Sequence, residues 1–151
     1  MLVYFFLGEV SQHKEDLYYF SNQTGKLLKL LPGIYGLSNH LLDTPWFKVE
    51  KSKLSFSKII KRKDVSIDEL FMLLSDKEIP PDDLLPNTGL QLEIERAVSP
   101  VFVSTPKYGT RSSTVILWDL NDKIIFIEKF LNSINNEWIT NGFDFNLINT
   151  R

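Results

Sequence analysis

Two β-prone runs, Thr114–Asp119 and Ile124–Phe130, are separated only by Leu120-Asn121-Asp122-Lys123. Runs so close in sequence have one simple pairing, an antiparallel hairpin whose turn fixes the register. Phe143-Asp144-Phe145-Asn146-Leu147 alternates apolar and polar, which predicts a further half-buried strand. Val98–Thr105 is also strand-like and is broken by Pro106-Lys107-Tyr108-Gly109. Residues 98–148 therefore read as a β-hairpin region with a C-terminal strand.

Residues 1–40 read as strands as well. Leu2–Leu7 is a continuous apolar run of the kind buried on both faces. Leu17–Phe20 and Leu27–Leu31 flank Asn22-Gln23-Thr24-Gly25, which has turn chemistry. Ile34–Leu37 resumes after Pro32-Gly33, and Gly33 and Gly36 together predict close backbone approach. Residues 44–97 read as helical. Thr44-Pro45 has the form of an N-cap followed by a first-turn proline, predicting a helix from Pro45 to about Lys61. Ser66-Ile67-Asp68-Glu69 is a capping box, with Leu70, Phe71, Leu73 and Leu74 as the buried stripe. Pro80-Pro81 is the expected stop, and 82–89 is expected to be loop.

Composition narrows the function classes. Among 151 residues, 43% are hydrophobic and 24% charged, as in a globular domain, and 13% are aromatic, enough to fill a core. A net charge of −2 argues against general nucleic-acid binding. The absence of Cys removes disulfides, thiolate metal sites and a thiol nucleophile. Two His without Cys do not make a zinc site. No apolar run reaches the length of a membrane span, and Met1–Leu7 lacks the basic flank of a signal peptide. The expected location is cytoplasmic.

Arg111 stands in a turn of small hydroxyl residues, where a guanidinium can hold a carboxylate or phosphate in two-point fashion. The alternative is a structural pair with Asp119 or Glu128. Tyr108, close by, can line a site or simply pack. Lys48, Lys51, Lys53, Lys58, Lys61, Arg62 and Lys63 put positive charge on the first helix. They form either an anionic-surface contact or a solvated face balanced by the acidic stretch from Asp64 to Glu95. His40 and Asp43 could contribute to a catalytic triad, but no nucleophile elbow accompanies them. His13 lies in a polar turn. Glu93 and Glu95, two apart, point to different sides of any helix.

Two longer strings carry a family resemblance. They are Leu31-Pro32-Gly33-Ile34-Tyr35-Gly36-Leu37-Ser38-Asn39-His40-Leu41-Leu42-Asp43-Thr44-Pro45-Trp46 and Tyr108-Gly109-Thr110-Arg111-Ser112-Ser113-Thr114. Both resemble signatures of the NRDE family, the proteins similar to transport and Golgi organisation protein 2. Leu17–Asn22, Glu128-Lys129-Phe130 and Phe143–Leu147 extend the resemblance over nearly the whole chain. Family members begin with Met-Cys and an Asn-Arg-Asp-Glu segment, and neither occurs here. The resemblance thus implies a single partial domain, the C-terminal part: a short natural form, a misplaced start or a designed fragment.

The resemblance also implies a fold. It is α+β, part of a four-layer αββα sandwich like that of N-terminal-nucleophile hydrolases. By that analogy Asn39, at a strand end, would hold an oxyanion; a strand-end Asn also bonds its own backbone. The implied function is non-catalytic: the complete domain binds or traffics a hydrophobic anionic small molecule, haem or an acyl-lipid metabolite, as cargo rather than cofactor. Tyr35, Ser38, Asn39, Tyr108 and Arg111 are the expected pocket-lining residues. One alternative is an amidohydrolase-like enzyme lacking its Cys-bearing segment. Another is a gene remnant without activity. Unpaired sheet edges in a partial domain predict self-association.

Overall fold

The computed structural model describes residues 3–7, 17–62, 64–119 and 121–147. The polar turn holding His13, and Lys63, lie outside them. β1 (Val3–Leu7) pairs antiparallel with β4 (Gly33–Leu37), Phe5 opposite Tyr35. β2 (Leu17–Ser21) and β3 (Lys26–Leu30) form a separate hairpin. Gly25 takes φ +64°, a region that L side chains avoid, so the Asn22–Gly25 turn closes as its chemistry predicts.

α1 (Phe47–Ile60) follows a loop, then α2 (Ile67–Leu74), a short 3-10 turn (Asp82–Leu84) and α3 (Leu92–Val98). The helix start differs from the expected one. Thr44 does not cap α1; its hydroxyl donates to the Leu41 carbonyl at 2.8 Å and lies 2.8 Å from His40 Nδ1. Trp46 occupies the N-cap with no side-chain hydrogen bond. The buried positions of α1 are Val49, Ser52 and Ile59, so a polar residue sits within the buried stripe and blurs its pattern. The capping box is half made. Ser66 Oγ accepts from the Glu69 N–H at 3.3 Å, while the Glu69 carboxylate is taken by Arg62 at 2.5 and 2.7 Å. α2 ends at Leu74, before Pro80-Pro81, with Ser75 at its C-cap donating its hydroxyl to the Phe71 carbonyl at 2.8 Å.

β5 (Ser112–Trp118), β6 (Lys123–Leu131) and β7 (Trp138–Asn146) form an antiparallel meander. Asp119 Oδ1 accepts the N–H groups of Asn121 and Lys123, fixing the hairpin turn. Val98–Thr105 is not a strand. Val98 closes α3, and beyond it only an isolated bridge, Ser104 to Gly109, has β geometry. Its apolar side chains serve packing instead: Phe102 stacks against Trp138 with ring centroids 5.6 Å apart.

The protein is thus mixed α/β, with small antiparallel sheets and three α-helices among the described residues. Packing runs from β4 to α1, from α1 to α2, and from α2 to β5. The main core joins Ile59 of α1, Leu70 and Phe71 of α2 and Val115 of β5. Lys129 of β6 places its ammonium 4.2 Å from the Phe71 ring centroid, so α2 and the inner sheet face meet through a cation–π contact as well.

Candidate functional site

The first motif is built around Gly36. A Cβ there would meet Val49 Cγ1 at 2.8 Å, so only glycine lets β4 lie this close to α1. Gly36 also turns its backbone toward Asp43. Its N–H donates to Asp43 Oδ1 at 2.8 Å, and its carbonyl accepts the Asp43 N–H at 2.8 Å. Asp43 reaches this position with φ +54°, and Lys53 of α1 donates to the same carboxylate oxygen at 2.8 Å. The aspartate therefore caps one position of the strand edge and binds the loop to α1. It is not engaged with His40, whose Nδ1 faces Thr44, so the pair is not arranged as a triad.

The expected site residues on this element separate by role. The Tyr35 phenol donates to the Leu31 carbonyl at 2.8 Å and closes the Pro32-Gly33 bend. Asn39 is exposed at the bend after β4. Ser38 is only 8% exposed, and its hydroxyl has no hydrogen-bond partner among the described residues. A buried orphan hydroxyl carries a desolvation penalty, which makes Ser38 the chemically unfinished position of the motif.

The second motif is held by its backbone and displays its side chains. The Thr105 N–H and hydroxyl donate to the Tyr108 carbonyl, and Tyr108 N–H donates back to Thr105 Oγ1 at 2.9 Å. Thr110 N–H donates to the Val103 carbonyl at 2.8 Å, and Val103 N–H to Thr110 Oγ1 at 3.0 Å. The Arg111 carbonyl accepts the Leu131 N–H at 2.8 Å, which anchors the chain at the start of β5. Tyr108 and Arg111 remain exposed. Among the described residues the Arg111 guanidinium has no ion pair. Asp119 is used by its own turn, and Glu128 Oε1 lies 3.4 Å from the Thr114 hydroxyl. β4 of the first motif packs on α1, α1 on α2, and α2 on β5, which the second motif opens.

Part of the positive charge on and just after α1 is neutralised within the protein. Lys51 pairs with Asp76 and Glu78, Lys53 with Asp43, and Arg62 with Glu69. Lys51 and Arg62 use the acidic stretch from Asp64 to Glu95; Lys53 uses Asp43, which lies outside it. One charge interaction was not legible from spacing. Lys48 Nζ donates to the Val98 and Pro100 carbonyls at 3.0 and 3.4 Å, and lies within reach of the Glu95 charge. Burial lowers the Lys48 pKa, and Glu95 only partly opposes it. Glu95 is buried while Glu93 is exposed, as their spacing on α3 requires. Burial pushes the Glu95 carboxyl up, but donors from Thr88 and Leu90 and the Lys48 charge outweigh it, leaving the pKa below the ordinary value. Glu93 and Glu95 in the sequence signalled one inward carboxylate; nothing there signalled its partner 47 residues earlier.

Among the described residues, no helix is long and apolar enough to cross a membrane. The chain matches the family model described as Transport and Golgi organisation 2 over residues 2–133. It is 33% identical to the mouse Transport and Golgi organization 2 homolog, across 93% of this chain and 55% of that protein. The human homolog is also 33% identical over the same shares. The Drosophila melanogaster Transport and Golgi organization protein 2 is 32% identical across 69% of this chain and 40% of its own length. The chain spans about half the length of the curated mammalian relatives it matches. On the family model and these identities together, the chain belongs to the Transport and Golgi organisation 2 family.

Proposed function

We propose that this chain supplies one wall of a non-catalytic binding domain for a hydrophobic anionic small molecule, such as haem or an acyl-lipid metabolite. The complete domain is read as a four-layer αββα sandwich located in the cytoplasm. The reading rests on an exposed cation at the start of β5 and an apolar outer face further along the same sheet. Arg111 is exposed at the start of β5, and the sheet it opens presents Ile116, Trp118, Phe143 and Phe145 to the outside. Apolar surface holds an acyl chain or porphyrin; a guanidinium holds its carboxylate or phosphate. Tyr108, in the same turn, adds an aromatic wall. Tyr35, Ser38 and Asn39 are proposed as further lining positions of the same pocket; the Ser38 hydroxyl has no hydrogen-bond partner among the described residues. The exposed sheet surface also underlies a second property, self-association.

The test is titration of the chain with haem and with a long-chain acyl-CoA, followed by fluorescence quenching of its Trp residues. Saturable binding with unchanged ligand is expected. Arg111→Ala is expected to weaken it about tenfold, the loss of roughly 1.5 kcal/mol from a charge-assisted contact. Unchanged affinity in that variant removes Arg111 from the site. Absence of binding to either ligand, or release of free fatty acid, overturns the reading.

A further inference from the structure

The register of the three-stranded sheet sorts its residues into two faces. One face, with Val115, Leu117 and Ile127, packs on α2. On the other face, Ile116, Phe126 and Phe143 form one cross-strand row, and Trp118, Ile124 and Phe145 form the next. Both rows are wholly apolar. The row beyond them is polar: Thr114, Glu128 and Asn141. Phe126 and Phe143 already touch, with ring centroids 6.4 Å apart, so the patch is a continuous surface rather than scattered residues.

Ile116, Trp118, Phe143 and Phe145 are 59%, 50%, 61% and 49% exposed. At ~200 Å² for each large side chain, these four leave on the order of 400 Å² of apolar surface open. That is comparable to the largest patch of a typical monomer, roughly 300–600 Å².

We propose that this patch is the contact through which two copies of the chain stack sheet on sheet. The inference rests on the four-layer reading above and names what completes it: the layer order becomes helix, sheet, sheet, helix, with the second pair of layers from the second copy. A two-fold contact places the same patch on itself, so apolar rows meet apolar rows. With the partly covered Phe126 and Ile124 included, the stack closes about 1,000 Å² in total, the lower bound for a specific interface. The dimer is therefore weak.

Sedimentation of the ligand-free chain, from low micromolar to near-millimolar concentration, tests this. A reversible monomer–dimer equilibrium is expected. Ile116→Glu and Phe143→Glu are expected to weaken it at least tenfold, since each buries a charge in the stack. Both native side chains are mostly exposed, so circular dichroism should show the variants folded. Leu54→Glu on α1, at a residue 61% exposed, should leave the equilibrium unchanged. A folded chain that stays monomeric at every concentration overturns the proposal. So does a dimer indifferent to both sheet variants, or one that Leu54→Glu weakens equally. Ligand uptake by a persistent monomer would end this inference and leave the binding function standing; a dimer that takes up neither haem nor acyl-CoA would do the reverse.

Discussion

The two motif segments are put to different uses. Leu31–Trp46 is occupied with itself: Gly36 admits Val49, Asp43 takes the Gly36 N–H and the Lys53 ammonium, and Tyr35 closes its own bend. Tyr108–Thr114 is pinned by its backbone and leaves its phenol and guanidinium in solvent. Both strings resemble signatures of one family. A recognisable string can encode a joint or a display, and hydrogen-bond partners separate the two. The joint should respond to substitution in stability, the display in binding.

Gly36→Ala is the largest effect expected from this contrast. The new Cβ lies 2.8 Å from Val49 Cγ1, and Val49 is fully buried, so neither strand nor helix has room to yield. A loss of about 1–3 kcal/mol is expected, as for other overpacked sites. Urea unfolding followed by circular dichroism measures it. A loss below ~0.5 kcal/mol would show that β4 and α1 slide freely and that the first motif is no joint.

Asp43→Ala should cost somewhat less, about 1–2 kcal/mol, because this hydrogen bond is only partly buried and water can partly replace the carboxylate acceptor. Asp43→Asn sharpens the point. It keeps an acceptor for Gly36 and tolerates the positive φ, while removing the charge that holds Lys53. A smaller loss for Asn than for Ala assigns most of the role to the strand edge; equal losses assign it to the ion pair.

Much of the fold was legible because its determinants are local. The Asn22–Gly25 turn, the Asp119 bonds to Asn121 and Lys123, the Ser66 cap and the Leu70/Phe71 stripe each depend on neighbours within a few residues. What was not legible depends on distant partners. Thr44 looked like an N-cap until His40 and Leu41 were seen to hold its hydroxyl. Val98–Thr105 looked like a strand because its apolar residues close α3 and meet Trp138, a contact far off in sequence. Lys48 and Glu95 lie on different helices, and only packing brings their charges together. Of the expected site residues, Tyr108 and Arg111 were legible as turn residues; that both side chains lie exposed, and that the Tyr35 phenol is committed to Leu31, was not.

Arg111→Ala gives the smallest stability effect and the sharpest form of the comparison. Its carbonyl, which the substitution retains, makes the anchoring bond to Leu131, and among the described residues its guanidinium has no ion pair to lose. Its unfolding free energy should therefore stay within about 0.5 kcal/mol of the parent. If instead it falls by 1–2 kcal/mol, as for Asp43→Ala, the guanidinium holds the second motif together and both strings are joints. A silent change in stability with a loss of ligand affinity is the signature of a display residue. The two measurements on one variant thus decide whether the second motif is exposed for a purpose.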